Sequence, residues 1–190
     1  MAYTAIEDKN PIRPNWQMWS GSLPDEAIQR IIDCAGETSR ATTFNNADQT
    51  MRSSMVSWLT NQKWILDLLF DYVDTANRSA FNVNINKKAD IQFTEYHGTE
   101  SGHYSWHHDI FWDRADGLDR KLSVTVQLSE PNDYEGGEFS FSEVQSPDVA
   151  KSKVKGTVLV FPSYLVHAVS PVTSGVRKSL VAWFEGPTWR

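Results

Sequence analysis

Several features that mark particular classes of protein are missing from this chain of 190 residues. It contains a single cysteine, Cys34, which excludes an internal disulfide and suits a reducing compartment. No run of about 18 apolar residues occurs that could cross a membrane, and the first residues lack the basic-then-apolar pattern of a signal peptide. These absences predict a soluble cytoplasmic protein with no membrane partner.

A basic stretch is also missing. The 24 acidic residues outnumber the 18 basic ones, so that the formal net charge is −6. Surfaces that bind nucleic acids usually carry a stripe of basic side chains. The charge balance therefore argues against nucleic acid as a partner, although a local basic patch is compatible with an acidic total.

The composition that is present fits one globular domain over residues 1–190, without an internal repeat, a low-complexity segment or a dividing linker. Apolar residues make up 40% of the chain and aromatic residues 12%, which is enough for a sizeable core. A helix is predicted over about 24–35, because Pro24 suits the first helical position and apolar residues follow at helical spacing. The same spacing predicts a second helix over about 61–76.

The rest of the chain has the pattern of short strands separated by turns. The predicted strands are Met55–Leu59, Phe81–Ile85, Ile91–Tyr96, Tyr104–Asp109, Lys121–Leu128, Gly137–Ser142, Gly156–Phe161, His167–Val172 and Lys178–Glu185. Helices followed by many strands predict an α+β fold in which the N-terminal helices pack on one sheet of a double-sheet jelly roll. A helical support region would cover about 1–80 and the jelly-roll core about 81–190.

The stretch Trp106-His107-His108-Asp109 carries the strongest chemical signal. Side chains two residues apart in a strand point the same way, so His107 and Asp109 would share one face. His167, which follows another strand-like run, supplies a third ligand. Two histidines and one carboxylate, with coordination positions left open, form the facial triad of non-haem Fe(II) oxygenases. We therefore predict these three residues as metal ligands and as the catalytic centre.

Arg177 adds a second signal, ten residues after His167 at the start of an apolar strand. Its guanidinium offers a rigid fork that suits a carboxylate, which we predict it binds. Ser179 shares its face of the strand, and is either a second donor to the same carboxylate or an ordinary strand serine. Trp183 faces the same way, and either walls the pocket or fills the core.

Together these residues resemble the Fe(II)/2-oxoglutarate-dependent dioxygenases, and within them the prolyl 4-hydroxylase group. The resemblance covers roughly residues 90–185. The stretches that carry it are Tyr96, Gly102–Asp109, Gly136–Phe141, Gly156–Phe161, His167, Pro171–Gly175 and Arg177. It implies the double-stranded β-helix fold, in agreement with the predicted jelly roll.

The resemblance also implies a set of cofactors. Fe(II), 2-oxoglutarate as co-substrate and O2 would take part, with ascorbate as an optional further cofactor. By similarity Tyr96 and Tyr104 line the 2-oxoglutarate pocket, while each could instead be a core aromatic residue. Gln127 stands where prolyl hydroxylases often have a tyrosine that contacts the distal carboxylate, and its amide could donate there instead.

The expected activity is hydroxylation of an unactivated C–H group with release of succinate and CO2. The resemblance favours a prolyl residue of a peptide or protein as substrate. The alternatives are a free amino acid or small metabolite, an alkylated nucleic acid, or a lectin-type binding module with a vestigial metal site. A nucleic-acid oxygenase should add a basic groove, and a binding module would not need Arg177 in its place. The sequence leaves the oligomeric state open.

Overall fold

The computed structural model describes residues 6–7, 13–42 and 50–189, and the first pair only as backbone. Most of the amino-terminal stretch considered for a signal lies outside the described residues. The helices are α1 Asp25–Ala35, α2 Lys63–Ala76 and α3 Val149–Ser152, and α2 continues into a π-helical turn, Asn77–Phe81. In the described ranges, no helix has both the length and the apolar character needed to cross a membrane.

The strands form two antiparallel sheets. In chain order they are β1 Ile6–Glu7, β2 Gln17–Trp19, β3 Ser39–Arg40, β4 Arg52–Ser53, β5 Met55–Trp58, β6 Ala89–His97, β7 His103–His107, β8 Leu118–Gln127, β9 Tyr134–Gly136, β10 Phe139–Phe141, β11 Val158–Pro162, β12 His167–Val169 and β13 Val172–Pro187. Among the described residues, the major sheet has the order β1-β2-β11-β8-β13-β6-β5-β3, with β9 paired to β13. The minor sheet has the order β10-β12-β7-β4.

One face of the major sheet packs against the helices. Leu180, Ala182 and Phe184 of β13 alternate along the strand and are all fully buried in this layer. The helices contribute apolar side chains at helical spacing, including Ile28, Ile31, Ile65 and Leu69. Burying a side chain of this size contributes about 1.5–3 kcal/mol, so the helix layer is a main source of the fold's stability.

The other face of the major sheet packs against the minor sheet. Tyr96 and Phe161 from the major sheet join Phe139, Phe141 and Val169 from the minor sheet in a second buried cluster. Two sheets with a core between them, and helices on the outer face of one, are the architecture of a double-stranded β-helix. The predicted α+β jelly roll is therefore confirmed.

The predicted strand Phe81–Ile85 is wrong. The chain forms the π-helical turn up to Phe81, takes the left-handed conformation at Asn82 (φ 50°), and has no regular structure before β6. The Asn77 side chain donates to the Val83 carbonyl and accepts from its N–H, both at 2.8 Å. Because a side chain satisfies these backbone groups, Val83 needs no neighbouring strand.

Strand boundaries differ from the prediction in the functional half as well. The strand expected to reach Asp109 ends at His107, and the strand expected from His167 to Val172 ends at Val169. The first 80 residues also contribute more than helices, since β2 and β5 belong to the major sheet and β4 to the minor sheet.

Candidate active site

A narrow cavity lies between the two sheets. Its walls are Arg52, Gln92, Tyr96, Tyr104, His107, Asp109, Thr125, Phe139, Phe161, His167, Val169, Arg177, Ser179, Val181 and Trp183. Most of the residues predicted from the sequence as site residues are therefore brought together in one place. The major sheet reaches this cavity with the side chains that alternate with its helix-packing residues.

His107, Asp109 and His167 form a compact cluster in this cavity. Each offers one ligand atom, and these atoms all lie within 4.8 Å of one another. The Asp109 carboxylate oxygens lie 3.7 Å from His107 Nε2 and 3.5 Å from His167 Nε2. Two ligands at about 2.0–2.2 Å from one metal ion lie about 3 Å apart in neighbouring positions. The cluster could therefore hold a metal ion after a small contraction.

Backbone carbonyl groups fix both imidazole rings. His107 Nδ1 lies 2.7 Å from the Ser105 carbonyl oxygen, and His167 Nδ1 lies 2.9 Å from that of Leu165. A proton on each Nδ1 leaves the lone pair on Nε2, which is the atom directed at Asp109. The two rings face each other across β7 and β12, where His107 is paired with His167.

Asp109 is positioned by contacts that follow strand β7. Its backbone N–H donates to the Ser163 carbonyl at 2.9 Å. The Ser123 hydroxyl on β8 donates to its carboxylate at 2.7 Å and lies 2.9 Å from the Ser163 hydroxyl. The predicted convergence with His107 is present, but a turn held by the major sheet produces it, not alternation along one strand.

The electrostatics favour the deprotonated forms that bind metal. Burial, and next the neighbouring His167 ring, lower the pKa of His107 to about 4. Burial alone would raise the pKa of Asp109, but the His167 and His107 rings and the Ser123 hydroxyl hold that pKa below its usual value. At neutral pH His107 is therefore neutral and the Asp109 carboxylate is ionised, which are the forms that bind a metal ion.

The lowered pKa of His107 predicts a pH dependence of stability in metal-free protein. Between pH 6.5 and about 4 the unfolded chain protonates this imidazole and the folded chain does not. The free energy of unfolding should therefore fall as pH falls through this window, by up to about 3 kcal/mol. Urea unfolding with a chelator present, at pH 7, 6 and 5, measures the slope. His107→Gln should flatten it, and an equal slope in both proteins would contradict the assignment.

Arg177 lies at another part of the cavity wall. It is buried, its guanidinium carbon lies 5.5 Å from the centre of the Tyr96 ring, and within the described residues it forms no ion pair. Gly137 (φ 60°) passes so close that a Cβ there would lie 2.9 Å from Arg177 Cδ. Gly137 thus makes room for this arginine. A buried guanidinium without a carboxylate is suited to an anionic ligand.

Four other predicted residues also line the cavity. Tyr104 stacks on the His107 ring with centroids 3.4 Å apart, and Tyr96 is paired with Arg177 across β6 and β13. Ser179 and Trp183 share the cavity face with Arg177, as alternation predicts.

Gln127 does not line the cavity. Its amide donates to the Tyr134 hydroxyl at 3.0 Å and to the Ser129 carbonyl at 3.2 Å. Burial raises the pKa of Tyr134, and the positive charge of the nearby Arg177 guanidinium opposes that rise. Gln127 is therefore linked to the surroundings of the arginine through Tyr134, a residue that was not predicted from the sequence.

Other residues of the cavity were not predicted from the sequence. Gln92 and Thr125 could have been found, since they lie four residues before Tyr96 and two before Gln127 on predicted strands. Arg52 had no such signal, because its place depends on the pairing of β4 with β7 far along the chain.

A family model described as the 2OG-Fe(II) oxygenase superfamily matches residues 91–185, which is half of the chain. The chain belongs to this superfamily. The cofactors that the superfamily implies are Fe(II), 2-oxoglutarate and O2, and the His-Asp-His cluster and Arg177 are of the kind that this set requires. The matched residues run from β6 into β13 and contain the three ligand candidates.

Curated relatives of this 2OG-Fe(II) oxygenase are similar over a shorter stretch. A PKHD-type hydroxylase of Synechococcus sp. (strain CC9902) is 38% identical over 82 residues, which is 43% of this chain and 36% of that protein. The match thus spans little more than a third of the length of that relative.

Solved structures are similar over nearly the whole chain. A Pseudomonas putida prolyl-4-hydroxylase has a TM-score of 0.68 and 22% identity, with 92% of this chain and 94% of that chain covered. A Trichoplax adhaerens prolyl hydroxylase in complex with a hypoxia inducible factor peptide fragment has a TM-score of 0.68 and 16% identity, with 90% and 83% covered. At these identities the similarity concerns the fold.

Proposed function

We propose that this oxygenase hydroxylates an unactivated C–H group of a prolyl residue in a peptide or protein, and converts 2-oxoglutarate and O2 to succinate and CO2. The observation that carries the proposal is the placement of His107, Asp109 and His167 in the same cavity as Arg177. A candidate metal site that shares a cavity with a buried arginine, for which the described residues supply no carboxylate, provides for both a redox metal and a dicarboxylate.

The three ligand candidates would hold Fe(II), which supplies the activation of O2 that no side chain can perform. Ser123 would keep the Asp109 carboxylate in place and ionised through its hydrogen bond. Phe139 and Phe161 pack against the His167 ring, with centroids 5.4 and 4.8 Å away, and exclude water from that side of the site. Tyr104 covers the His107 ring in the same way.

Arg177 would bind the distal carboxylate of 2-oxoglutarate. The Tyr134 hydroxyl, which accepts a hydrogen bond from Gln127, lies near this guanidinium and would help to orient it. Ser179 offers a second hydroxyl donor on the same face of β13. The predicted cofactor-binding role of Gln127 thus becomes an indirect one in this proposal, in which Gln127 orients Tyr134 and Tyr134 orients the arginine.

The proposal of a prolyl substrate is supported by an aromatic path from the surface to the cavity. Trp58 is 58% exposed, and its ring centroid lies 6.2 Å from that of Trp183, which lines the cavity. The Arg120 guanidinium carbon lies between two rings, 4.1 Å from the centre of the Trp183 ring and 4.5 Å from the centre of the Phe111 ring. Aromatic faces suit the C–H groups of a proline ring. The relatives and fold neighbours named as hydroxylases and prolyl hydroxylases agree with this choice.

A peptide panel tests the substrate. With Fe(II), 2-oxoglutarate and O2, peptides that contain proline should increase succinate formation several-fold, and mass spectrometry should find one added oxygen on the proline. The control is the same panel with each proline replaced by alanine. Turnover with free amino acids, while every proline peptide stays inert, would contradict the prolyl proposal and favour a small-molecule oxygenase.

We further propose a cytoplasmic location, on the basis of the free Cys34.

A further inference from the structure

Arg52 is a second arginine of the cavity that the proposed roles do not use. It lies on β4, paired with Tyr104 of β7, and is buried although it carries a charge. From this position on the minor sheet its side chain reaches the major sheet, where Nη2 donates to Gln92 Oε1 at 2.7 Å. The guanidinium thus forms part of the wall between the two sheets.

The contacts of Arg52 leave its charge without a carboxylate. Nε donates to the Ser54 hydroxyl at 2.8 Å, and the guanidinium carbon lies 4.6 Å from the centre of the Tyr104 ring. In the described part of the chain, neither these contacts nor any ion pair brings a carboxylate to it. Burying an uncompensated cation costs several kcal/mol. A cation kept at this cost in the wall of an active site is suited to an anion that arrives with a ligand.

Arg52 and Arg177 are held at different places along the cavity. Arg177 is paired with Tyr96 on β6, whereas Gln92, the partner of Arg52, lies four residues along the same strand. At about 3.3 Å per residue this is a separation of roughly 13 Å along the strand. Tyr104, which lies under the Arg52 guanidinium, stacks on His107. Arg52 is therefore separated from a metal-ligand candidate by one aromatic ring, on the metal's side of the cavity.

An unpaired donor lies near the same place. Trp183 Nε1 is buried without a hydrogen-bond partner among the described residues, and its ring lines the cavity. Trp183 lies two residues after Val181 on β13, and Val181 is paired with Gln92, the partner of Arg52. A buried N–H group that lacks an acceptor indicates a ligand or water acceptor. The Arg52 guanidinium and the Trp183 indole therefore both line the side of the cavity that is away from Arg177.

We propose that Arg52 binds a carboxylate of the substrate, so that the oxidised carbon belongs to, or directly adjoins, a residue that carries a carboxylate. The inference rests on the proposed hydroxylase function and specifies its substrate class. The carboxylate has two possible sources, the free α-carboxylate of a terminal residue or amino acid, and an acidic side chain beside the target.

Matched pairs of ligands that differ only in this charge test the proposal. One pair is a peptide that ends in proline, as the free acid and as the amide. A second is a peptide with an internal proline, flanked by Asp or Glu in one member and by Asn or Gln in the other. The third is a free amino acid and its amide. Dissociation constants are measured by calorimetry on anaerobic protein loaded with Fe(II) and 2-oxoglutarate, so that no turnover is needed. Wild type should bind the acid of at least one pair roughly 10- to 150-fold more tightly, as expected for a hydrogen bond to a charged group.

Variants assign this preference to Arg52. Arg52→Gln should reduce the ratio of acid to amide affinity to about one, and Arg52→Lys, which keeps the charge, should retain part of it. Arg30→Gln, which removes an arginine packed over Trp64 on the far helix layer, should leave the ratio unchanged. Thermal unfolding of each variant shows whether it is folded, and the wild-type ratio does not depend on any variant.

The outcomes separate this inference from the proposed function. No acid preference in any wild-type pair, or an unchanged ratio in folded Arg52→Gln, would overturn the role of Arg52. If Arg52→Gln leaves the ratio of acid to amide affinity unchanged but raises the dissociation constant of 2-oxoglutarate, the role in substrate binding is also overturned, and Arg52 is assigned to the co-substrate. If only free amino acids are oxidised, the prolyl-peptide proposal fails, while the ratio of acids to amides still tests Arg52.

Discussion

Replacement of His107 or His167 by alanine is expected to abolish the iron centre. Wild-type protein given Fe(II) and 2-oxoglutarate without oxygen should show the weak visible charge-transfer band of an iron-bound keto acid, and both variants should lose it. Each variant removes one of three protein ligands from a cluster within 4.8 Å. Losing an outer-shell partner of a metal site already costs about 10- to 100-fold in affinity, so loss of a ligand should cost more than 100-fold.

The neighbouring histidine provides a matched control. His108 is exposed, and its ring lies against Trp112, away from the cavity. His108→Ala should therefore keep the charge-transfer band and the iron affinity of the parent protein. Retention of the band in both His107→Ala and His167→Ala, or its loss in His108→Ala, would refute this ligand set.

Replacement of Arg177 by alanine is expected to weaken 2-oxoglutarate binding selectively. Removing a charge-assisted, two-pronged contact with a carboxylate should cost about 2–4 kcal/mol, or tens- to several-hundred-fold in the apparent constant. Iron affinity should change little, because Arg177 contacts Tyr96 and Tyr134 and none of the ligand candidates. Titration of 2-oxoglutarate into anaerobic Fe(II) protein, followed by the same visible band, measures the constant.

Lys178 is the matched control for this prediction. It follows Arg177 on β13, points to the other face of the strand, and pairs with Glu95 at 3.5 Å. Lys178→Ala removes one positive charge from the same strand without touching the cavity, so its 2-oxoglutarate constant should stay within about twofold of the parent, as for most surface substitutions. An unchanged constant in Arg177→Ala would place the distal carboxylate elsewhere.

A site residue could be predicted from the sequence where its position depends on neighbours in the same strand, and could not where it depends on distant residues. Arg177, Ser179 and Trp183 were placed on one face from the sequence because alternation is a property of a single strand. Gln127 obeys the same alternation, but its side chain turns to Tyr134, which lies on a short strand at the edge of β13. A side chain's choice among hydrogen-bond partners depends on neighbours that no local pattern contains.

Local patterns were least reliable where side chains replaced backbone pairing. Phe81–Ile85 has the strict alternation of a strand, and yet Asn77 satisfies the backbone of Val83 and the segment remains irregular. Asp109 departs from the strand that was expected to contain it for a different reason, because its N–H donates to the backbone carbonyl of Ser163 in a distant segment.

The sequence by itself determined the layers of the fold and the candidate residues of the site, because helical spacing, alternation and the identity of His107, Asp109, His167 and Arg177 are all local properties. Only the tertiary structure decided how that chemistry is assembled. The Ser123 contact that holds Asp109, the Tyr134 link to Arg177, and the crossing of Arg52 to Gln92 all join distant strands. They depend on which strands become neighbours when the two sheets pack face to face, and the free energy of that packing comes from the whole core.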